Sequence, residues 1–203
     1  MEQNILKTGT TTVSLVGKDF VVIGADKKST LGFMVDSKVA RKIYPLDTHI
    51  AITTAGSVGD ALSIIRLLKA QLKLYKLEHG PITVRGAVTL LSNILHANRY
   101  FPYFNQFIVA GYDYRGPQIY SVDLLGGIDE KDKFYATGSG SPFAYGVLEA
   151  EYKENISQKE AISLVYRAIK AAIERDIGSG GKGVLIAIID EKGYREIPES
   201  EIK

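Results

Sequence analysis

The sequence predicts an α+β protein in which two β-sheets are covered by helices on each side. Three observations lead to this prediction. Segments of strand and helix character follow one another as strands, two helices, strands, two helices and strands, which is not the regular alternation of a doubly wound parallel sheet. The apolar period lengthens from two residues to three or four at the helical segments. With 203 residues and 45% hydrophobic content, the chain can bury one sizeable core, so we expect one domain.

The chain is predicted to begin with a β-hairpin and a second pair of strands. β-branched residues fill the stretches 11–16 and 20–25, and the intervening Gly-Lys-Asp is typical of a hairpin turn. Residues 37–44 and 49–54 also have strand character, and we place a turn between them at residues 45–47, where a proline stands. The sheet therefore continues directly from the hairpin.

Helices are predicted after these strands and again later in the chain. Apolar residues recur at three- and four-residue steps across 62–75 and 84–95, and Gly80-Pro81 separates the two stretches. Because glycine suits a helix end and proline suits the start of the next helix, we expect two adjacent antiparallel helices. The remaining predictions are strands at 107–112, 118–122 and 134–136, helices at 143–152 and 162–173, and closing strands at 183–189 and 195–197.

The composition excludes several classes of protein. The 25 basic and 23 acidic residues are scattered and give a net charge of +2, so no nucleic-acid-binding surface is indicated. The absence of cysteine excludes disulfides, thiol catalysis and thiolate metal sites. The longest apolar runs, such as residues 184–189, are too short to span a bilayer, and the amino terminus lacks the apolar core of a signal peptide. We therefore expect a soluble, unexported, cytoplasmic chain.

A run of threonines near the amino terminus is the first candidate for chemistry. Gly9 precedes Thr10, Thr11 and Thr12, and the run leads into the first predicted strand. A threonine hydroxyl is a weak nucleophile until a base takes its proton, and an α-amine, which titrates at about 7.7–8.0, can supply that base within the same residue. Three threonines at a strand start also reflect plain β-propensity, so the run alone decides nothing.

Further motifs stand at defined distances from Thr10. Asp26 lies sixteen residues beyond it and Lys42 thirty-two, although an isolated pair of this kind most simply forms a surface ion pair. Gly56 belongs to an Ala-Gly-x-x-x-Asp pattern at a predicted strand-to-helix turn, where a glycine is ordinary. Residues 138–141, Gly-Ser-Gly-Ser, lack both the lysine of a P-loop and the spacing of a dinucleotide fingerprint. Nucleotide binding is therefore not indicated.

Taken together, these motifs resemble those of proteasome β-type subunits, which are N-terminal nucleophile (Ntn) threonine peptidases. The resemblance runs from Thr10 to the last predicted strand, and the short segment before Thr10 is similar to archaeal-type particles. It implies a four-layer αββα sandwich of the Ntn-hydrolase type for residues 10–203. It also implies that residues 1–9 are a propeptide, which autocatalytic cleavage between Gly9 and Thr10 removes. Thr10 would then be the nucleophile and its freed α-amine the base.

The same resemblance assigns roles to residues around Thr10. Lys42 is implied to favour loss of the hydroxyl proton and to keep the α-amine neutral, and Asp26 to hold Lys42 charged and oriented. The backbone N–H of Gly56 is implied to form the oxyanion hole. Three further residues are implied to orient and tune the amine: Ser139, Asp176 and Ser179.

The resemblance also places a pocket for the substrate residue that precedes the scissile bond. None of its predicted walls is charged. Because burying a charged side chain without a partner costs several kcal/mol, we expect a preference for apolar or aromatic residues. The predicted walls are Ser29, Thr30, Ala40, Tyr44, Thr54 and Val58.

Assembly partners are likewise implied by the resemblance. Seven β-type subunits would form a ring, and rings of α-type subunits would flank two such rings in the order α-β-β-α. The closed cavity would admit unfolded polypeptide, delivered indirectly by a regulatory ATPase ring. Neither a metal nor an organic cofactor is implied, and neither is a nucleic-acid or membrane partner.

Two other functions stay open on the sequence alone. A β-type subunit that never matures would contribute only interfaces to the ring, while a second β-type subunit cuts substrates. The presence of both Thr10 and Lys42 argues against this. A different Ntn-type amidohydrolase acting on a small amide would share the nucleophile but not the ring. The Gly-Ser-Gly-Ser-Pro block and the pair Asp176 and Ser179 argue against that alternative.

Overall fold

Two antiparallel sheets form the centre of the protein in the computed structural model, which describes residues 9–202. The strands are β1 Thr12–Val16, β2 Phe20–Asp26, β3 Ser29–Leu31, β4 Met34–Ser37, β5 Ile43–Asp47, β6 Ile50–Gly56, β7 Asn105–Asp113, β8 Gly116–Val122, β9 Ile128–Lys131, β10 Phe134–Thr137, β11 Val184–Asp190 and β12 Gly193–Ile197. The helices are α1 Val58–His79, α2 Val84–Ala97, α3 Ser141–Glu151 and α4 Gln158–Arg175. All of the predicted propeptide except Gly9 lies outside the described residues.

Each sheet has five strands and one face covered by helices. The first sheet has the strand order β10-β1-β2-β11-β12 and packs against α3 and α4. The second has the order β5-β6-β7-β8-β9 and packs against α1 and α2. A third apolar cluster lies between the two sheets, while β3 and β4 form a separate hairpin. The layers therefore follow one another as α, β, β and α, which confirms the predicted sandwich.

Strand β2 shows how the sequence places the two sheets. Val22 packs into the cluster beneath α3 and α4, whereas Ile23 and Ala25 lie between the sheets. Successive side chains of a strand point to opposite faces, so a slip of one residue would exchange the two sets. The apolar pattern thus fixes the register, and with it the point at which Asp26 ends the strand.

Polar caps set where helices begin. The Ser57 hydroxyl accepts a hydrogen bond from the Asp60 N–H at the start of α1, and Ser157 and Glu160 form a reciprocal capping box at the start of α4. At α1 the cap directly follows Gly56, the last residue of β6. The strand-to-helix turn predicted around Gly56 is therefore present.

Most predicted elements are confirmed, with ends that shift by a few residues, but the turn at residues 45–47 is wrong. These residues belong to β5, which begins at Ile43 rather than at residue 37. Because β5 is an edge strand, the missing N–H of Pro45 removes no bond from the sheet interior, and the register shifts between Pro45 and Asp47. The short strands β3, β4 and β9 were not predicted.

Helix α1 packs through a face that differs slightly from the predicted one. Leu62 and Tyr75, which belong to the predicted stripe, are 36% and 41% exposed, whereas Ala61 and Ile64 are buried. The buried stripe of α1 therefore runs through Ala61, Ile64, Ile65, Leu68 and Leu72. No helix within residues 9–202 combines the length and the apolar character needed to cross a membrane.

Candidate active site

The predicted site residues come together at one end of the sandwich. Thr10 lies two residues before the start of β1, and in the first sheet Thr12 pairs with Ala25 of β2 and with Thr137 of β10. Asp26 ends β2, and the Gly-Ser stretch follows β10. The antiparallel register therefore brings two other segments of the chain, the end of β2 and the loop after β10, to the position of Thr10.

Thr10 is buried and its hydroxyl lies against the preceding carbonyl group. The Thr10 Oγ1 donates a hydrogen bond of 2.6 Å to the Gly9 carbonyl oxygen, and the Lys42 Nζ lies 3.4 Å from the same oxygen. The Gly9 N–H donates to Thr30 Oγ1 at 3.3 Å. The peptide bond between Gly9 and Thr10 is thus held from both sides, with an ammonium group and a hydroxyl at its carbonyl oxygen.

A buried ion pair supports Lys42. Its Nζ lies 2.6 Å from Asp26 Oδ1, and the two side chains are 7% and 0% exposed. Asp26 also accepts backbone N–H groups from Thr11 at 2.9 Å, Lys28 at 3.1 Å and Gly180 at 2.9 Å. Burial lowers the pKa of the Lys42 ammonium below its ordinary value, although the charge and hydrogen bond of Asp26 oppose that shift. Asp26 is therefore fixed by the main chain and in turn fixes Lys42.

A second cluster of polar groups lies on the other side of Thr10. The Thr10 N–H donates to Ser139 Oγ at 3.3 Å, and Ser139 Oγ donates to Asp176 Oδ2 at 2.7 Å. Ser179 Oγ donates to the same carboxylate oxygen at 2.6 Å. The Thr11 hydroxyl lies 2.6 Å from Ser179 Oγ. All three residues predicted to orient the amine are therefore connected to the Thr10 nitrogen or to its neighbour.

Two glycines explain how Ser139 reaches Thr10. At Gly138, which has a φ of 92°, a Cβ would lie 2.1 Å from the Thr10 carbonyl oxygen. At Gly140 it would lie 2.0 Å from Thr11 Oγ1. Both positions therefore require a residue without a side chain, because the loop runs directly against the threonine run. The glycines of this Gly-Ser-Gly stretch therefore serve its close packing against Thr10 and Thr11.

Gly56, whose N–H is predicted to form the oxyanion hole, is packed closely against the segment that leads into β7. A Cβ there would lie 2.0 Å from the Phe104 carbonyl oxygen, and φ is 142°, so the fold itself leaves no room for a side chain at this position. The Thr54 N–H donates to Lys42 O at 3.0 Å. Since alternate N–H groups of a strand point to the same side, the Gly56 N–H points to that side as well, beyond the last pairing of β5 with β6.

A cavity of about 250 Å³ opens beside Thr10 and Lys42. All six predicted walls and Gly56 line it, together with residues that the sequence did not single out. The lining residues are Gly9, Thr10, Lys28, Ser29, Thr30, Asp36, Ser37, Ala40, Arg41, Lys42, Tyr44, Thr54, Gly56, Val58 and Ala61. The prediction that these six residues share one pocket is consistent with this arrangement.

The charged residues at this cavity differ in how they are paired. Lys28 Nζ donates to the Ile177 carbonyl oxygen at 2.6 Å, and Arg41 forms an ion pair with Glu196. The exposed Asp36 carboxylate accepts a bond of 2.8 Å from Ser29 Oγ, and within residues 9–202 it takes part in no ion pair. The rim therefore carries one carboxylate whose charge is not compensated by a described side chain.

Sequence reasoning missed the contribution of Thr11. Its N–H binds Asp26 and its hydroxyl binds Ser179, so it joins the two clusters on either side of Thr10. Its position directly after the predicted nucleophile was the available signal, but the sequence does not indicate which backbone N–H groups donate to a side chain. In the described part of the chain no group of three acidic or histidine side chains is placed to hold a metal ion.

Comparison with known proteins identifies relatives over nearly the whole length. Residues 6–189 match the family described as "Proteasome subunit". A "Proteasome subunit beta" of Methanospirillum hungatei is 45% identical over 203 residues, which cover all of this chain and 97% of that protein. The protein of the same description from Methanocaldococcus fervens is 49% identical, covering 96% of this chain and 88% of the relative. "Proteasome subunit beta 1" of Thermococcus onnurineus is 48% identical, covering 96% and 95%.

Proposed function

The chain belongs to the proteasome subunit family and is a β-type core subunit, and from this we propose that it is a catalytic one, which releases Thr10 by cutting itself and then hydrolyses peptide bonds. β subunits of this family are generally threonine peptidases. One observation carries the proposal for this chain. The Thr10 hydroxyl and the Lys42 ammonium meet at the carbonyl oxygen of Gly9, the group that self-cleavage has to attack.

The first reaction converts the precursor into the peptidase. The Thr10 Oγ bonds to the Gly9 carbonyl carbon, its proton passes to the Thr10 nitrogen, and the C–N bond breaks to leave an ester. Water then hydrolyses the ester, giving the carboxylic acid of Gly9 and a Thr10 with a free amine and a restored hydroxyl. Lys42, 3.4 Å from the carbonyl oxygen, would stabilise the negative charge that develops there.

The same residues would serve the second reaction on a substrate. The free α-amine takes the Thr10 hydroxyl proton, the oxygen attacks the substrate carbonyl carbon, and the amine returns the proton to the departing nitrogen. The Gly56 N–H would donate to the oxyanion, a contact whose removal typically costs about 10²–10³ in rate. Asp26 would keep Lys42 in place, while Ser139, Asp176 and Ser179 would orient the amine. Water finally releases the acyl group.

Assembly would confine this activity. We place the chain in a ring of β subunits that associates with α-type subunits, so that the cavity beside Thr10 faces an enclosed space open to unfolded polypeptide. Residues 1–9 would be the propeptide and residues 10–203 the mature domain. The predicted walls around Tyr44, Thr54 and Val58 favour an apolar or aromatic residue before the scissile bond.

The decisive experiment measures the intact mass of the chain after co-assembly with its α-type partner. We expect the wild type to lose residues 1–9 and Thr10→Ala to keep them. Thr10→Ser is the matched control, because it retains a hydroxyl and should still be processed. If the wild type keeps these residues under conditions in which the particle assembles, the chain is a structural subunit and the proposal is wrong. If Thr10→Ala loses them, another group performs the cleavage.

A further inference from the structure

Gly9 and Gly178 touch through their backbones. A Cβ built on Gly9 would lie 1.9 Å from Gly178 Cα, and one built on Gly178 would lie 2.3 Å from Gly9 Cα. Ordinary contacts of a Cβ begin at about 3.4 Å. Neither position can therefore accept a side chain while the other is in place. The contact joins the residue before the nucleophile to the loop that follows α4.

The glycine at 178 is not required by its own backbone conformation. In the same loop Gly180, Gly181 and Gly183 have φ values of 146°, 97° and 84°, which disfavour other residues. Gly178 is not among the residues with positive φ. Alanine would fit its backbone, so the missing side chain serves the close approach of Gly9 and not the turn.

The contact also fixes the group that is cut. Gly9 is held by Thr30 Oγ1 at its N–H, by Thr10 and Lys42 at its carbonyl oxygen, and by Gly178 at its Cα. Relieving an approach of 2.3 Å to ordinary contact requires a shift of about 1 Å, and a misplacement of that size can lower a rate about 10²-fold. The position of the scissile carbonyl therefore depends on residue 178.

We propose that Gly178 is a positioning residue for self-cleavage that the mature peptidase no longer needs. The inference rests on the proposed function, since it assumes that the Gly9–Thr10 bond is cut. Once residues 1–9 leave, Gly9 no longer occupies the space in front of Gly178. Of the three atoms nearest to a side chain at 178, only Ser139 Oγ, at 2.9 Å, then remains, and a shift of about 0.5 Å restores ordinary contact.

The test compares processing with peptidase activity in Gly178→Ala. The variant is made in the full chain and in a chain that starts at Thr10 with a free amine, each assembled with the α-type partner. Gly146→Ala is the control, because a Cβ at that helical position meets nothing within 4 Å. We expect processing of full-length Gly178→Ala to slow by about 10²-fold. The chain that starts at Thr10 should hydrolyse a peptide reporter within about twofold of its wild-type counterpart.

Further outcomes separate this proposal from the one on which it rests. If wild type is processed and Gly178→Ala is processed equally fast, the role of Gly178 is overturned and the proposed function stands. If Gly178→Ala in the chain that starts at Thr10 loses reporter activity by the same factor as the full-length variant loses processing, the new side chain acts through Ser139. That result also overturns the proposed role of Gly178. Failure of the wild type to process overturns both proposals.

A second variant removes the possibility of a folding defect. Gly9→Ala places the new Cβ 1.9 Å from Gly178 Cα but changes no residue of the mature chain. It should slow processing as Gly178→Ala does, and the two changes together should cost less than the product of their separate effects, because they disrupt one contact. Independent, multiplying effects would contradict the proposal.

Discussion

The two polar clusters that flank Thr10 differ in burial and in charge. On one side Lys42 and Asp26 form an ion pair with almost no contact to solvent, and three backbone N–H groups complete the coordination of the carboxylate. On the other side Ser139 is exposed and Asp176 is half-buried, and the hydrogen bond between them is accessible to solvent. One cluster is sealed by protein and the other is open to water.

This difference separates electrostatic from orienting roles. A charge in a poorly hydrated site interacts more strongly with its neighbours than one in water does, because the effective dielectric constant is lower. When such a charge is removed, no solvent molecule compensates the partner that stays buried. A hydrogen bond at a wetted surface can be replaced in part by a bridging water. We therefore expect Lys42 and Asp26 to control reactivity, and Ser139 and Asp176 to control geometry. Substitutions in the two clusters should differ accordingly.

The largest expected effect is the loss of the buried cation. In a chain that starts at Thr10, Lys42→Met should lower kcat/KM for a peptide reporter by about 10³-fold, the scale of losing a dominant electrostatic contact in the transition state. Asp176→Asn should lower it by about tenfold, which corresponds to one hydrogen bond to a charged group. Initial rates on assembled particles measure both.

Assembly of each variant, followed by size exclusion, shows whether the fold is retained. Removing Lys42 leaves Asp26 without its partner in the interior, so only variants that form the complete particle are compared. If Lys42→Met and Asp176→Asn lower kcat/KM by similar factors, the buried and the exposed cluster do not differ in their roles as described.

A smaller effect is expected in the pH profile of the peptidase. The rate should rise as the α-amine loses its proton and fall again as Lys42 loses its own. Because burial lowers the pKa of Lys42, the alkaline fall should begin below the ordinary lysine value of 10.5. Asp26→Asn removes the carboxylate that raises this pKa, so its alkaline fall should move to lower pH. Profiles of kcat/KM for both proteins measure the shift.

An unchanged or higher alkaline limb in Asp26→Asn would show that Asp26 does not hold the Lys42 charge. Asp176→Asn is the control in this series. Its carboxylate also favours the charged form of Lys42, but less strongly than Asp26 does, so the alkaline limb of Asp176→Asn should move less.

The smallest effect is expected from an exposed charge, at Asp36. Reporters with Tyr or Leu before the scissile bond should be cut at least about tenfold faster than those with Arg or Glu, because the six predicted walls are uncharged and burying a charged side chain among them is costly. Between the two charged reporters, Arg should exceed Glu by a few-fold, the scale of an exposed ion pair. In Asp36→Asn that difference should vanish. Equal rates for all four reporters would contradict the pocket as described.

Much of the fold could be predicted from the spacing of apolar residues along the sequence. The apolar periods locate both helix pairs and the buried strands, since these elements are specified by what they bury. The pattern did not reveal β3 and β4, because most of their side chains are exposed. It also misplaced the turn before His49, because Pro45 is tolerated inside an edge strand.

The candidate site was predictable to the extent that it consists of side chains in recognisable motifs. Ser139 bonds the Thr10 N–H, Lys42 lies at the Gly9 carbonyl oxygen, and Asp26 binds Lys42. What the sequence could not indicate are contacts made by the backbone. The Thr11 N–H binds Asp26, and the Cα of Gly178 packs against Gly9. Both contacts depend on where the backbone lies in the folded chain, which the residue types do not indicate.

The origin of the groups around Gly9 has a consequence for quality control. Thr10 precedes the first strand, Asp26 ends the second, Lys42 precedes the fifth, and Gly178 follows the last long helix. A chain in which any of these segments is out of register cannot assemble the groups that cut it. If cleavage proceeds as proposed, release of the Thr10 amine requires that distant parts of the chain have folded together. A misfolded copy would therefore remain an inactive precursor and could not degrade other proteins.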